Sequence, residues 1–324
     1  VSESVKVRER LDDQEIAGVL SVVEAATETD GVRPLNEHVM LHLRYGGDPR
    51  ARSLLLYDGA ALAGYAHVDP TDEVEGPSGE LVIHPAQRRR GHGARLLRAV
   101  LDLTGGRLRL WAHGDHPGAE ALAASSGLER ARSLWQMRRS LFAPLAPYEV
   151  PEGVSVRTFV PGQDEEAWLK VNSAAFAHHP EQGAWTMDDL LLREREPWFD
   201  PEGFFLAFRG DRLAGFHWTK IHGSDEHQEH GHEPLGEVYV VGVDPSQQGT
   251  GLGKALTLAG LAHLRSRGLA QAMLYVDEAN TAAIRLYESL GFSRWDVDVM
   301  YAATPPGSAA RSTTEQPPEP LPES

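Results

Sequence analysis

The stretch that decides the fold is "GEVYVVGVDPSQQGTGLGKALTLAG", Gly236 to Gly260. A β-branched run ends at Asp244-Pro245, passes Gly249, Gly251 and Gly253, and opens into a helical pattern. "GELVIHPAQRRRGHGARLLRAVL", Gly79 to Leu101, has the same layout, and setting His84-Pro85 over Asp244-Pro245 gives a constant offset of 160. A strand that stops at Pro and hands over to a helix through small residues presents successive backbone N–H groups at the helix start. Those groups and the helix dipole suit an anion such as a pyrophosphate, and glycine lets it reach the backbone. The two copies read Arg88-x-x-Gly91-x-Gly93 and Gln248-x-x-Gly251-x-Gly253. Neither is a P-loop, because Gln248 and Ala255 stand where that motif needs Gly and Ser or Thr. The Rossmann spacing fails at Lys254.

Working outward, each half repeats one order of elements, β-α-α-β-β-β-α-β-α-β. Hairpins turn at Asp58-Gly59 and Gly210-Asp211, and both halves close on a strand, a helix and a strand. The expected class is α/β of the α+β kind, two tandem domains with mixed, mostly antiparallel sheets flanked by helices. The first spans residues 1–142 and the second 154–303. The proline-rich stretch 143–153 is a linker, and the Pro-, Ser- and Glu-rich segment 304–324 is expected to be a disordered tail.

Composition sets limits on function. The 324 residues are 41% hydrophobic and 24% charged, which fits soluble globular domains. A net charge of −16 argues against nucleic acid as a partner. No apolar run reaches the roughly 18 residues of a membrane span. There are no cysteines, so disulfides and thiolate metal sites are excluded and the cytoplasm is the default address. The run "HGSDEHQEHGHE", His222 to Glu233, reads as a solvated loop because no helix or strand fixes its four histidines; no metal is expected.

The repeated motif in this order of elements, with "NTAAIRLYESLGF" closing the second half, resembles the GNAT family of acetyl-CoA-dependent N-acetyltransferases. The resemblance covers about Val5 to Ala303. It implies acetyl-CoA as acetyl donor and a small-molecule amine as acceptor. The tandem layout, with "PLNEH", "HHPEQG" and "HWTKIH", is similar to actinobacterial members acting on the cysteinyl amine of a cysteinyl-glucosaminyl-inositol. A monomer is expected. Other readings stay open: another small amine, a protein N-terminus, or a non-catalytic acyl-CoA sensor.

By that resemblance, acetyl-CoA in the second half meets Val241, Gly242 and Val243, then Gln248, Gly249, Thr250, Gly251, Leu252, Gly253 and Lys254. Asn280, Thr281, Ala282, Ala283, Ile284 and Arg285 complete that set. The first-half counterparts are Leu81, Val82 and Ile83 with Arg88, Arg89, Arg90, Gly91, His92, Gly93 and Ala94. Substrate contacts are implied at Glu37, Glu181, Lys220, Glu237 and Tyr275.

The reaction needs a base, an oxyanion donor and an acid. A cysteinyl α-amine has a pKa near 7.7–8.0, so roughly a tenth is neutral at pH 7 and a modest base suffices. Glu237 resembles the carboxylate base of the family, on one side of its strand with Tyr239 and Val241 by alternation. Gly242 suggests a bulge or close ligand approach, with neighbouring N–H groups facing the acetyl carbonyl. Tyr287, on the helix face of Asn280, Ala283 and Ile284, matches the family's proton donor to the departing thiolate. In the first half the offset aligns Glu237 with Pro77, Tyr287 with Ala123, and Glu80 with Val240 on the opposite strand face. That domain is therefore expected to bind acetyl-CoA without turning it over, with Arg88 to Arg90 suited to the pyrophosphate.

Overall fold

Strand β1 (Glu3–Arg8) leads into helices α1 (Asp13–Asp30) and α2 (Glu37–Tyr45). Both helices start where the sequence supplies a cap. Asp12 accepts from Glu15 N at 2.8 Å, and Asn36 accepts from Val39 N at 2.9 Å. Strands β2 (Arg52–Asp58), β3 (Ala61–Asp69) and β4 (Ser78–Ile83) follow, then α3 (His92–Leu103), β5 (Arg109–Ala112), α4 (Pro117–Ser125) and β6 (Leu128–Ser140). The second half runs β7 (Val154–Thr158), α5 (Glu165–Ala175), α6 (Pro180–Gly183), α7 (Met187–Glu194), β8 (Phe204–Arg209), β9 (Arg212–His222) and β10 (Leu235–Val243). It closes with α8 (Leu252–Ser266), β11 (Gln271–Asp277), α9 (Thr281–Ser289) and β12 (Ser293–Ala303). The expected order holds, with the short α6 as an addition. Both hairpins turn where the sequence indicated, through Gly59 (φ 65°) and Gly210 (φ 59°). The computed structural model describes residues 3–72, 75–177, 179–223 and 234–303. The stretch 304–324 and residues 224–233 of the histidine-rich run lie outside them.

Among the described residues, all twelve strands join one sheet in the order β1-β2-β3-β4-β5-β12-β6-β11-β10-β9-β8-β7. The two halves therefore exchange their last strands. β12 pairs with β5 of the first half, β6 pairs with β11 of the second, and β6 and β12 pair with each other over Ser293↔Arg138 to Ala303↔Leu128. Within each half, β4–β5 and β10–β11 are the parallel pairs and the other pairings are antiparallel.

One face of the sheet packs on α3, α4, α8 and α9. Leu96, Leu97 and Val100 of α3 share a core with Val297, Val299 and Tyr301 of β12, so a strand from the end of the chain completes the first half's core. Leu258, Leu261 and Ile284 pack with Met137 of β6, the reciprocal arrangement. The other face carries α1 and α2 over the first half and α5 and α7 over the second. There Trp168, Phe204, Phe216 and Trp218 form an aromatic core, with Phe204 stacked on Trp218 at 4.4 Å between ring centres.

At the junction this second face is polar. His113 sits between Glu80 of β4 (Nε2 to Oε1, 3.2 Å) and Asp298 of β12 (Nδ1 to Oδ2, 2.8 Å). The second Glu80 oxygen accepts from Asn36 N at 2.8 Å, and that of Asp298 from Gly114 N at 2.9 Å. Burial alone would push the His113 imidazole down, but the two carboxylates outweigh it and push it up to about 10. Its folded pKa thus lies above an unfolded value of about 6.5. The stabilisation is fully present below the unfolded value and is lost as pH rises through about 10. We expect His113→Gln to cost about 3 kcal/mol near pH 6, since it leaves buried carboxylates without their cation. We also expect the variant to lose the decline in stability that the parent shows between pH 7 and 10. Denaturant unfolding across that range checks both, and a parallel decline in the variant would place the pH dependence elsewhere.

Candidate active site

Strand pairing explains why the site lies where it does. β10 and β11 pair only at Gly236↔Ala272 and Glu237↔Met273, after which the two parallel strands part. Glu237 is thus the last paired residue before a wedge in the sheet, and it is buried, 6% exposed. Past it, β10 carries a bulge. Glu237 opposes Lys220 and Val238 opposes Thr219, but Val240 opposes Trp218, so Tyr239 is the extra residue.

The bulge corrects four expectations. Gly242 is not the irregularity: it pairs regularly with Phe216, and a Cβ there would lie 2.6 Å from the Phe216 ring. Its glycine makes room for a core side chain. Val241 does not share a face with Glu237. It packs with Leu258, Leu261 and Ile284 on the α8 side, whereas Tyr239 and Val240 pack with the aromatic core on the α5 side. The first-half equivalent of Glu237 by register is Ser78, not Pro77. Ser78 opposes Asp69 and Arg109, as Glu237 opposes Lys220 and Met273. Glu80 consequently lies on the same face as Glu237, not the opposite one, but both its oxygens are taken by His113 and Asn36 N–H.

The face around Glu237 brings residues from both halves together. Glu37, the first residue of α2, receives Lys220 Nζ on one carboxylate oxygen and Tyr239 OH, at 2.5 Å, on the other. Arg193 of α7 donates to Tyr239 OH at 2.9 Å and stacks on Trp185 at 3.8 Å. Burial pushes the Glu37 carboxyl up, but Lys220 and Arg193 outweigh it and hold it below its ordinary value, so Glu37 is ionised at neutral pH. Burial and the Glu37 charge push the Tyr239 phenol well up, keeping it a donor. Lys220 also lies 4.2 Å over the Trp198 ring. Tyr275, on β11, accepts from Gln136 of β6 at 2.9 Å and is half-exposed; burial of its hydroxyl end, with Asp298 and Glu237 nearby, raises its pKa. Glu181 lies in α6, and its side chain is outside the described residues.

Sequence reasoning named Glu37, Lys220, Glu237 and Tyr275 but missed Arg193, Trp198 and the hydroxyl of Tyr239. Periodicity could not reveal them, since their link to Glu37 crosses from one half to the other. His222, set aside with the histidine run, ends β9 with Nε2 2.6 Å from Glu237 Oε2.

The glycine loops meet the fit expected of an anion cradle. Gly251 caps α8 at φ 87° and Gly91 caps α3 at φ 86°, and neither helix start has a side-chain cap. Gly249 is also left-handed, and a Cβ on Gly249, Gly251 or Gly91 would meet nothing within 4 Å. With no side chain capping them, the first-turn N–H groups are the donors such a cradle would offer. Arg89 takes the Gly249 role at φ 61° and is exposed. Arg88 departs from the expected free cation, because it holds Asp30 bidentately at 2.7 and 2.6 Å. Arg90 turns to Gln87 at 3.0 Å. Across the wedge, Tyr287 packs beside Ala283, Ile284 and Phe292 on the α8 face, and burial pushes its phenol up to about 12. The Asn280 side chain caps α9 by accepting from Ala283 N at 3.1 Å. Ala123, aligned with Tyr287, is fully buried in the first half's core. Among the described residues no cluster could hold a metal ion and no helix is long and apolar enough to cross a membrane.

A repeated strand-to-helix glycine loop beside a parting pair of parallel strands defines an acyltransferase-type fold, and comparison agrees. The chain belongs to the GNAT acetyltransferase family, whose model matches residues 13–127 and 168–292. It is 66% identical to a mycothiol acetyltransferase of Streptosporangium roseum over 92% of this chain and 98% of that protein. It is 65% identical to one of Thermobispora bispora over the same shares. A tandem GNAT protein from the clavulanic acid biosynthesis pathway shares the fold, with a TM-score of 0.71 at 19% identity over 94% of this chain and 99% of that one. A GCN5-related N-acetyltransferase from Sphaerobacter thermophilus matches with a TM-score of 0.63 at 25% identity, over 92% and 95%.

Tyr239→Phe should destabilise the fold by about 1–3 kcal/mol, because it removes the hydroxyl between Glu37 and Arg193 and leaves a buried donor unpaired. Tyr275→Phe should cost no more than about 0.5 kcal/mol, because only an exposed amide loses a partner. Equal losses in denaturant unfolding would contradict the inter-half network.

Proposed function

We propose that the chain is a mycothiol acetyltransferase, an acetyl-CoA-dependent N-acetyltransferase that acetylates the cysteinyl amine of a cysteinyl-glucosaminyl-inositol. The observation that carries the reading is a buried carboxylate, Glu237, at the last paired position before two parallel strands part, on a strand that leads through a short turn to an uncapped glycine helix start. Relatives named for this activity, at 66% and 65% identity over nearly their whole length, support it.

In this reading Gly249, Gly251, Gly253 and the first turn of α8 hold the pyrophosphate of acetyl-CoA through backbone N–H groups. The group supplies the acetyl thioester. Backbone groups of Val241 to Val243 that point into the wedge, away from their β9 partners, orient the thioester carbonyl and receive charge developing on its oxygen. Glu237 takes the proton of the attacking amine. Tyr287, kept protonated by burial, donates to the departing sulfur. Glu37 and Lys220, with Glu181 and Tyr275, engage the hydroxyl-rich acceptor, which spans the two halves. The first half holds acetyl-CoA without turnover: Ser78 replaces the base, Ala123 the acid, and Glu80 is already occupied.

Variant kinetics and substrate preference test this. Glu237→Ala should slow transfer by about 10²–10⁴ with acetyl-CoA affinity nearly unchanged, and Tyr287→Phe should slow the same step. Gly253→Val should abolish turnover, while Gly93→Val should mainly affect first-half binding or stability. An acetylation assay should favour the cysteinyl pseudodisaccharide over cysteine and over lysine peptides. Near-normal rates in both second-half variants, with chemistry limiting, would remove the assigned base and acid. Equal turnover of simple amines would remove the substrate.

A further inference from the structure

His222 has no part in the chemistry above, yet it is hydrogen-bonded to the residue at its centre. Lys220 stands directly opposite Glu237 in the β9–β10 ladder but turns away to Glu37. His222, two residues further along the same face, reaches diagonally to Glu237 at 2.6 Å. The two side chains differ in access. The Glu237 side chain is 8% exposed and the His222 side chain 36%, so the pair runs from the interior to solvent. The charged and titratable groups nearest the pair have other partners: Lys220 and Tyr239 hold Glu37, Arg193 holds Tyr239, and Tyr275 meets Gln136. Among the described residues, His222 is the titratable side chain hydrogen-bonded to Glu237.

The reaction gives such a residue a task. At neutral pH the acceptor amine is mostly ammonium. Its acetylation forms an N–C bond, breaks the C–S bond and strips two protons from nitrogen. One ends on the sulfur and the other must reach water. A buried carboxylate that takes this second proton has to release it before the next turnover.

We propose that His222 is the relay that carries the amine's proton from Glu237 to solvent. With the imidazole in its Nδ1–H tautomer, Nε2 takes the proton from Glu237 Oε2 while Nδ1 gives its own to water, so the charge balances and the ring resets by tautomerisation. The inference rests on Glu237 being the base. His222 acts through Glu237 and is not itself in contact with the amine.

The test compares His222→Ala, His222→Gln and Glu237→Ala in a weakly buffered steady-state assay with and without added imidazole. Acetyl-CoA binding and thermal melting serve as folding controls. Both His222 variants should lose roughly 10- to 100-fold in kcat, less than or comparable to loss of the base itself, with KM for acetyl-CoA unchanged. Imidazole should restore His222→Ala in a concentration-dependent way and should not restore Glu237→Ala. Glutamine keeps an N–H donor for Glu237 but carries no proton, so a slow His222→Gln points to relay. A His222→Gln enzyme at the parent rate, or a His222→Ala enzyme indifferent to imidazole, overturns the relay. Unimpaired Glu237→Ala would instead overturn the assignment of the base, a separate result.

Discussion

The reciprocal exchange of β6 and β12 is the constraint on which the rest of the structure depends. β12 lies between β5 and β6, and β6 between β12 and β11, so neither half completes its sheet or its core without the other. Buried apolar surface is the main term favouring folding. Here much of it is held by a strand from the opposite half: Val299 packs on α3, and Met137 packs with residues of α8 and α9. The halves are fixed by sheet hydrogen bonds rather than by the 143–153 segment that joins them.

That exchange also builds the polar face. Asp298 reaches first-half His113, which holds Glu80, which in turn holds the backbone of Asn36 at the start of α2. The next residue, Glu37, crosses to Lys220 and Tyr239 of the second half. A carboxylate from one half thus sits among cations and aromatics of the other, where burial would otherwise leave it protonated. Its partners keep it ionised.

The halves also show how one plan diverges. The glycine starts of α3 and α8 keep nearly identical backbone geometry, 86° and 87° at the capping glycine. The strands before them do not match. β10 has the bulge at Tyr239 and β4 is regular, so equal numbering does not mean equal faces. One inserted residue turns Val241 toward α8 and makes Ser78, not Pro77, the counterpart of Glu237, with Glu80 on the same face. Its engagement by His113 sets the first half apart from the second.

The sequence by itself determined the element order, both hairpins, both glycine loops and four of the residues around the site. These follow from local rules: Pro and Gly punctuation, capping residues, and apolar spacing. It also contained the repeat, whose offset could be read directly. The tertiary structure alone decided the pairing of β12 with β5, the bulge at Tyr239, the pairing of Arg88 with Asp30, and the contacts of His222, Arg193 and Tyr239. The physical reason is range. A strand's hydrophobic pattern states that it needs neighbours but not which ones, and a bulge depends on the strand it faces. A buried ion pair forms between residues brought together by the whole sheet, as Glu37 and Lys220 are here, 183 positions apart in the chain.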